Sequence, residues 1–154
     1  MLLIGSGQKF IQDLERAGAL AMTVTPEGGS EGHYRRRLRG AGYEVVTMTA
    51  KGIGDLASYL TRIHGVRPAH LGKSERRTYY FLPLIRQYQE GLKPKQGLVF
   101  WFYEGHVFSQ QELCYLMEVT KRDPQVKVVV ETQRGGAIAW QDLGTFVGSK
   151  AGSN

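Results

Sequence analysis

A chain of 154 residues, 42% of them hydrophobic and 22% charged, has enough apolar material for one hydrophobic core. Its apolar runs are all shorter than the roughly 20 residues of a membrane-spanning helix, and the first four residues are too short for a signal-peptide core, so we expect neither an integral membrane protein nor an exported one. One cysteine excludes an internal disulfide framework and iron–sulfur ligation by this chain alone. The net charge of +6 fits an acidic partner, an anionic membrane surface or nucleic acid, without choosing among them.

The first half of the chain alternates predicted helices with predicted strands. In chain order, these are a helix ending at Gly18, a strand over 19–25, a helix capped by Ser30, a strand over 43–49 and a helix over 56–63. Tyr34, Leu38 and Ala41 are expected on the buried face of the second helix, because they recur at helical spacing. Glycines separate these elements, which indicates short loops.

The second half begins irregularly and then becomes clear. An irregular stretch over 64–78 is followed by a predicted edge strand over 79–82, which Pro83 ends, and by a short helix over 84–88. The almost continuously apolar 97–103 predicts a central strand covered on both faces. The later predictions are a capping box over 109–112, a helix buried through Leu113, Leu116 and Met117, a strand over 126–131, and anchoring side chains at Ile138, Trp140, Leu143 and Phe146.

Helices that alternate with buried strands predict an α/β fold. We expect a single domain over 1–147, with a largely parallel or mixed sheet and helices packed on it, followed by a flexible tail over 148–154. The sequence contains no internal repeat and no linker that would divide this domain.

The strongest indication of catalysis or cofactor binding is a dinucleotide-type motif between the second predicted strand and the helix that follows it. Gly52-Ile53-Gly54-Asp55-Leu56-Ala57 matches G-x-G-x-x-A, whose backbone amides could hold a pyrophosphate. Asp55, however, places a carboxylate against the phosphates, and no strand ending in an acidic residue follows about 20 residues later for the ribose. The alternatives are therefore a free-standing nucleotide-binding protein and an ordinary strand-to-helix turn, and the turn is favoured.

Metal and nucleophile chemistry have weaker support. His33, His64, His70 and His106 are scattered over predicted loops without metal-ligand spacing, so solvated loop histidines are expected. Cys114 is expected to be a half-buried structural thiol, and Ser109 a helix cap. The sequence thus predicts no catalytic, cofactor-binding or metal-binding residues.

Basic residues form two groups. Arg35, Arg36, Arg37 and Arg39 on the second helix are either a solvated face, a docking surface for an acidic partner or, less favoured, a nucleic-acid contact. The segment 62–77, with Arg67, Lys73, Arg76 and Arg77, is either a plain connecting loop or a docking element that is mobile in the free protein and fixed in a complex. All eight residues are candidates for partner docking.

Several strings resemble one known family. They are EGGSEGHY (27–34), RRLRGAGY (36–43), KGIGDLASYL (51–60), IHGVRP (63–68), LGK (71–73), GLVFWFYEGH (97–106), SQQEL (109–113) and VKVVVE (126–131). In this order they resemble the N subunit family of the complex I-like NAD(P)H–plastoquinone oxidoreductases of cyanobacteria and chloroplasts. The resemblance covers most of residues 1–131.

The resemblance implies a non-catalytic subunit in the peripheral arm of a proton-translocating assembly that passes electrons, from NAD(P)H or reduced ferredoxin, to plastoquinone. It implies a peripheral position on the cytoplasmic or stromal side of the thylakoid membrane, with membrane association only through the complex. The partners would be other subunits and not nucleic acid. Iron–sulfur clusters and plastoquinone would belong to those subunits. The complex as a whole would serve respiration, cyclic electron flow and inorganic-carbon uptake.

Overall fold

The computed structural model describes residues 2–25, 31–51, 73–94 and 96–151. In chain order its elements are α1 (Leu2–Ala17), β1 (Ala19–Val24), α2 (Glu31–Gly40), β2 (Glu44–Thr49), α3 (Lys73–Glu90), β3 (Leu98–Tyr103), a 3-10 turn (Gly105–Val107), α4 (Gln110–Arg122), β4 (Val126–Arg134), β5 (Ala139–Asp142) and α5 (Leu143–Ala151). The helix predicted over 56–63 and the cap predicted at Ser30 lie outside the described residues.

The strands form one sheet in the order β2-β3-β4-β1-β5. Neighbours are parallel from β2 through β1, and only β5 runs antiparallel, beside β1. The predicted α/β class with a largely parallel, mixed sheet is therefore confirmed.

Helices cover both faces of the sheet, which explains the apolar run of β3. Val99 and Trp101 join the core under α1 and α2, whereas Leu98, Phe100 and Phe102 join the core under α3, α4 and α5. All five side chains are buried, as alternation predicts for a strand covered on both sides. The prediction of a central strand is confirmed.

Two helix-end predictions are also confirmed. Gly18 ends α1 with φ +80°, a left-handed conformation that favours glycine, and its N–H donates to the carbonyl oxygen of Leu14 at 2.7 Å. At the start of α4, the Ser109 Oγ accepts from the Glu112 N–H at 3.1 Å, and the Ser109 N–H donates to the Glu112 Oε1 at 2.8 Å. These contacts fix where β1 begins and how α4 enters the core.

The edge strand predicted over 79–82 is wrong, because these residues lie in the interior of α3. The irregular stretch predicted up to Thr78 likewise gives way to helix from Lys73 onward. Phe81, Leu84 and Ile85 are buried at i, i+3 and i+4, so the helical face continues through Pro83, which removes only one backbone donor. Packing of this face on β3 outweighs the β propensity of the aromatic run.

Three differences concern single positions or ends. Ala41 is exposed and not on the buried face of α2, because that helix ends at Gly40. The predicted anchors are confirmed, with Leu143 buried and Ile138, Trp140 and Phe146 packed against the cores, but the sequence did not predict β5 or α5. The predicted tail over 148–154 begins inside α5, and its last three residues lie outside the described part.

None of the described helices is long and apolar enough to span a bilayer.

Candidate functional site

An aromatic cluster fixes α2 on the sheet. The ring of Phe10 in α1 lies 5.1 Å from Tyr34 of α2, 5.9 Å from Trp101 of β3 and 5.1 Å from Trp140 of β5. Tyr34 and Trp140 meet edge to face at 5.4 Å, and Leu38 is fully buried one turn further along α2. Since one face of α2 is held in this way, the directions of its arginines are determined.

Arg35 lies at the flank of this buried face and turns towards the carboxyl ends of the strands. Its guanidinium lies 5.4 Å from the ring centroids of both Trp101 and Tyr103, and its Nη1 lies 3.8 Å from the Glu131 Oε2. The two charged side chains are 18% and 10% exposed, and Trp101 Nε1 donates to the same Glu131 oxygen at 2.5 Å. Within the described part of the chain, no group accepts a hydrogen bond from the Arg35 Nη1. Arg35 therefore contributes to the fold, and its charge is largely withdrawn from the surface.

The other three arginines of this helix are exposed. Arg36 lies midway between Tyr34 and Leu38, so at about 100° per residue it points away from the face that they bury. Arg39 is three residues further, about 60° from Arg36 around the helix axis. Arg37 lies on the α1 flank, where a Cβ added to Gly7 would be 2.8 Å from its Nε. We call Arg36, Arg37 and Arg39 the outer arginines.

Acidic neighbours neutralise most of the cations that lie beside α1 and at the sheet edges. These pairs are Lys9–Asp13 at 3.2 Å, Arg16–Asp142 at 2.9 Å, Lys51–Glu104 at 3.4 Å and Arg35–Glu131 at 3.8 Å. Among the described residues the outer arginines have no such ion pair. Arg36 and Arg39 thus form an uncompensated basic face on one short helix, with Arg37 at its α1 flank.

The remaining docking candidates are not brought together with α2 by any described contact. Lys73, Arg76 and Arg77 belong to the first five residues of α3. Arg67 and the motif Gly52–Ala57 lie outside the described residues, so nucleotide binding by that motif stays untested.

Of the described histidines and Cys114, His33 and Cys114 differ from their sequence predictions, whereas His106 agrees with a solvated position. His33 is in α2 and not on a loop, is half-buried, and meets Tyr34 edge to face at 5.4 Å. Its Nε2 has no hydrogen-bond partner among the described residues. His106 is exposed in the 3-10 turn, and His64 and His70 lie outside the described residues. Cys114 is exposed and not half-buried, because it follows Leu113 by one helical position and so leaves the buried stripe. In the described part of the chain, no group of three or more potential metal ligands occurs.

The carboxyl end of β3 contains the strained backbone of the described chain. Glu104 has φ 55° and ψ 40°, a left-handed conformation that is uncommon for residues other than glycine. The next residue, Gly105, is buried so closely against β4 that an added Cβ would lie 2.2 Å from Val130 Cγ1 and 2.7 Å from the Glu131 carbonyl oxygen. This turn holds Tyr103 and Glu131 where Arg35 reaches them.

The amino ends of the strands form a shallow depression of about 580 Å³, lined by Glu15, Tyr43, Gln125 and Lys127 among others. Tyr43 Oη donates to the Glu15 Oε2 at 2.8 Å, and burial together with this bond raises the pKa of the phenol well above its usual value. The depression has mixed charge and is open, so its geometry does not define a reaction centre.

Sequence reasoning missed the residues that fix α2. Glu131 was assigned only to a strand, and Trp140 only to an anchoring role, although Trp140 Nε1 also donates to the Asp13 Oδ2 at 2.9 Å. Glu131 and Trp140 are each more than 90 residues along the chain from the residues of α1 and α2 that they contact, so no local sequence pattern indicates these contacts. The available signal is weaker: strand alternation places Trp101 and Glu131 on the same sheet face as Val129, but nothing local links them to Arg35 of α2.

The fold and its surface define a mixed α/β domain with a basic, exposed helix face. The family described as NADH-quinone oxidoreductase cyanobacterial subunit N matches residues 1–145. A relative named NAD(P)H-quinone oxidoreductase subunit N, from Synechococcus sp. (strain JA-2-3B'a(2-13)), is 73% identical over 144 residues, which cover 93% of this chain and 98% of the relative.

Two relatives with the same name are less similar. The protein of Nostoc punctiforme is 49% identical over 151 residues, covering 93% of this chain and 96% of its own, and that of Thermosynechococcus vestitus is 48% identical over 143 residues, covering 92% and 95%. The chain belongs to the family of the cyanobacterial subunit N of NADH-quinone oxidoreductase.

Proposed function

We propose that this chain is a non-catalytic subunit of a complex I-like NAD(P)H–quinone oxidoreductase. The observation that carries the proposal is the 73% identity to a protein named subunit N, extending over 98% of that protein. An α/β domain whose described surface has unpaired cations but no metal-ligand cluster fits a subunit that contacts other chains. Its role is to support assembly of the complex, and electron transfer proceeds in other subunits.

The finer features of the proposal follow from the sequence resemblance. The chain occupies the peripheral arm on the cytoplasmic or stromal side of the thylakoid membrane and associates with the membrane only through the complex. Iron–sulfur clusters and plastoquinone are held by other subunits, and the complex couples quinone reduction to proton translocation in respiration, cyclic electron flow and inorganic-carbon uptake. The described helices, none of which could span a bilayer, are compatible with this peripheral position.

The test is incorporation into the complex. A tagged copy of the chain is expressed in a cyanobacterial strain that lacks its own subunit N, thylakoid membranes are solubilised, and the tag is captured. We expect the other subunits to copurify and plastoquinone reduction to be restored. Recovery of the tagged chain alone, with no gain of activity, would contradict the proposal.

The cofactor part is tested separately on the isolated chain. Titration with NADH, NADPH and flavin, and measurement of bound iron, are expected to give no saturable binding. Saturation with a reduced nicotinamide nucleotide at micromolar affinity would instead support the alternative of a nucleotide-binding protein that uses Gly52, Gly54 and Ala57.

A further inference from the structure

The arginines of α2 divide into one whose guanidinium packs on the sheet and three whose side chains are exposed. Arg35 packs on Trp101 and Tyr103 beside Glu131. By contrast, the outer arginines are exposed and have no acidic partner among the described residues. The ten residues of α2 contain four arginines and a single glutamate. Arg36 and Arg39 are three positions apart, and like charges at this spacing destabilise an isolated helix. The charges of the outer arginines therefore form no stabilising ion pair within the described part of the domain.

The helix that carries these charges is held rigidly. Tyr34 and Leu38 are buried, and Arg35 adds a contact to the sheet on one side. A rigid element presents its exposed guanidinium groups in a fixed geometry, so less side-chain and backbone freedom is lost when a partner binds. Each planar guanidinium can bind a carboxylate through two parallel hydrogen bonds.

We propose that the outer face of α2, centred on Arg36 and Arg39 with Arg37 at its flank, docks an acidic polypeptide segment of another subunit. This inference rests on the proposed function. Charge complementarity identifies the occupant, because carboxylates would neutralise three cations that have no acidic partner in the described part of the chain and would relieve the repulsion between Arg36 and Arg39. Such pairs set the rate and specificity of association, and they gain strength when the interface excludes water.

Two other anionic partners fit this face less well. An amphipathic helix that binds a membrane surface buries apolar side chains in it, whereas Tyr34 and Leu38 of α2 are already buried in the protein core. Binding of single-stranded nucleic acid uses exposed aromatic rings beside the cations, and α2 exposes none. Both remain as outcomes of the test below.

The first experiment reverses charge on α2. Arg36→Glu with Arg39→Glu is compared with Arg86→Glu plus Lys121→Glu, an equal change of charge at two exposed positions on α3 and α4, on the other side of the sheet. Both variants and the parent chain are expressed in the strain lacking subunit N, and the fraction that enters the complex is measured. We expect the α2 variant to fall at least about tenfold while the control stays within about twofold of the parent.

Each outcome is decisive. If the parent chain enters the complex and the α2 variant does so equally well, the docking inference is wrong and the proposed function stands. If the parent chain itself does not enter the complex, both the docking inference and the proposed function are wrong. Arg36→Gln with Arg39→Gln keeps good helix formers and removes only charge, so it decides the matter if the reversed variant does not fold. Folding is checked by circular dichroism and by the urea midpoint of each purified chain.

The second experiment identifies the chemistry of the partner. Gly40 ends α2 about 40° from Arg36 around the axis, and a Cβ added there meets nothing within 4 Å. In a Cys114→Ser background, Gly40→Cys carries a photoreactive label, and Gly148→Cys on α5, also open to solvent, is the control. We expect position 40 to cross-link to a segment of another subunit rich in Asp and Glu. Cross-links to lipid, to nucleic acid, to a segment without carboxylates, or to the same segment from position 148 would overturn the inference.

Discussion

Replacement of Arg35 by alanine tests the distinction between the inner and outer arginines of α2. The substitution removes two cation–aromatic contacts, each with a centroid distance of 5.4 Å and worth about 0.5–2 kcal/mol in partly desolvated surroundings. It also removes the cation beside Glu131, at 3.8 Å, which is too long for a direct hydrogen bond and adds about 1 kcal/mol at most. Glu131 keeps its bond from Trp101, so its charge is not left without a donor. We therefore expect the free energy of unfolding to fall by about 2–4 kcal/mol, mainly from the aromatic contacts and the packed aliphatic stem.

The assay is urea unfolding of the purified chain followed by far-UV circular dichroism, which does not depend on the environment of Trp101. Arg36→Ala is the matched control, and because Arg36 is exposed it should change the free energy by no more than about 0.5 kcal/mol. Arg35→Lys keeps the charge but loses the planar stacking surface, so an intermediate loss is expected. Equal stability of Arg35→Ala and Arg36→Ala would refute the assignment of Arg35 to the fold.

Three further changes test local features. Ser109→Ala should lower the free energy of unfolding by about 0.5–2 kcal/mol and Ser109→Gly by only a few tenths, since glycine is tolerated at a helix N-cap; equal losses in urea melts would argue against the capping box. Gly105→Ala should cost about 2–3 kcal/mol because its Cβ would overlap β4, whereas Gly40→Ala should cost nothing, and similar melting temperatures for the two would contradict the close approach. Asp13 has a pKa below its usual value, chiefly because Trp140 donates to it. As pH falls, the Asp13 carboxylate therefore takes up a proton in the unfolded chain before it does so in the folded one. The stabilisation from the ionised Asp13 is full above the unfolded-state pKa of about 3.9, and it is lost as pH falls through the lower folded-state pKa. Asp13→Asn should accordingly flatten the decline of stability below about pH 4, and an unchanged acid profile would count against this bond.

Local patterns were sufficient for the elements whose signals agree. Gly18 ends a helix because its left-handed backbone suits glycine, and Ser109 with Glu112 marks a helix start because the two side chains bond to nearby backbone amides. The apolar run 97–103 predicted a central strand because a strand covered on both faces has few polar positions, and the strand spans Leu98–Tyr103. The same patterns, together with the family strings, were enough to predict the fold class and the family.

Local patterns gave wrong predictions where a segment can form either a helix or a strand and burial in the tertiary structure decides between them. The aromatic residues over 79–82 favour a strand by propensity, and Pro83 reads as its end, but Phe81, Leu84 and Ile85 gain more by packing on the sheet as one helical face. Cysteine is a residue type that is often buried, but Cys114 is exposed because it lies one position after the buried Leu113 and so points away from the core.

For the candidate docking face, sequence patterns alone predict that four arginines lie close together on a short helix, that the chain is basic, and that its family is that of subunit N. The sequence does not give the role of each arginine, because the spacing along a helix fixes the relative directions of the side chains but not the residues that each side chain contacts. That Arg35 turns onto Trp101 and Tyr103 beside Glu131, while Arg36 and Arg39 face outward, is visible in the fold and not in the sequence. The partners of Arg35 come from β3 and β4, which are distant from α2 along the chain, and parallel pairing brings their carboxyl ends together at one edge of the sheet.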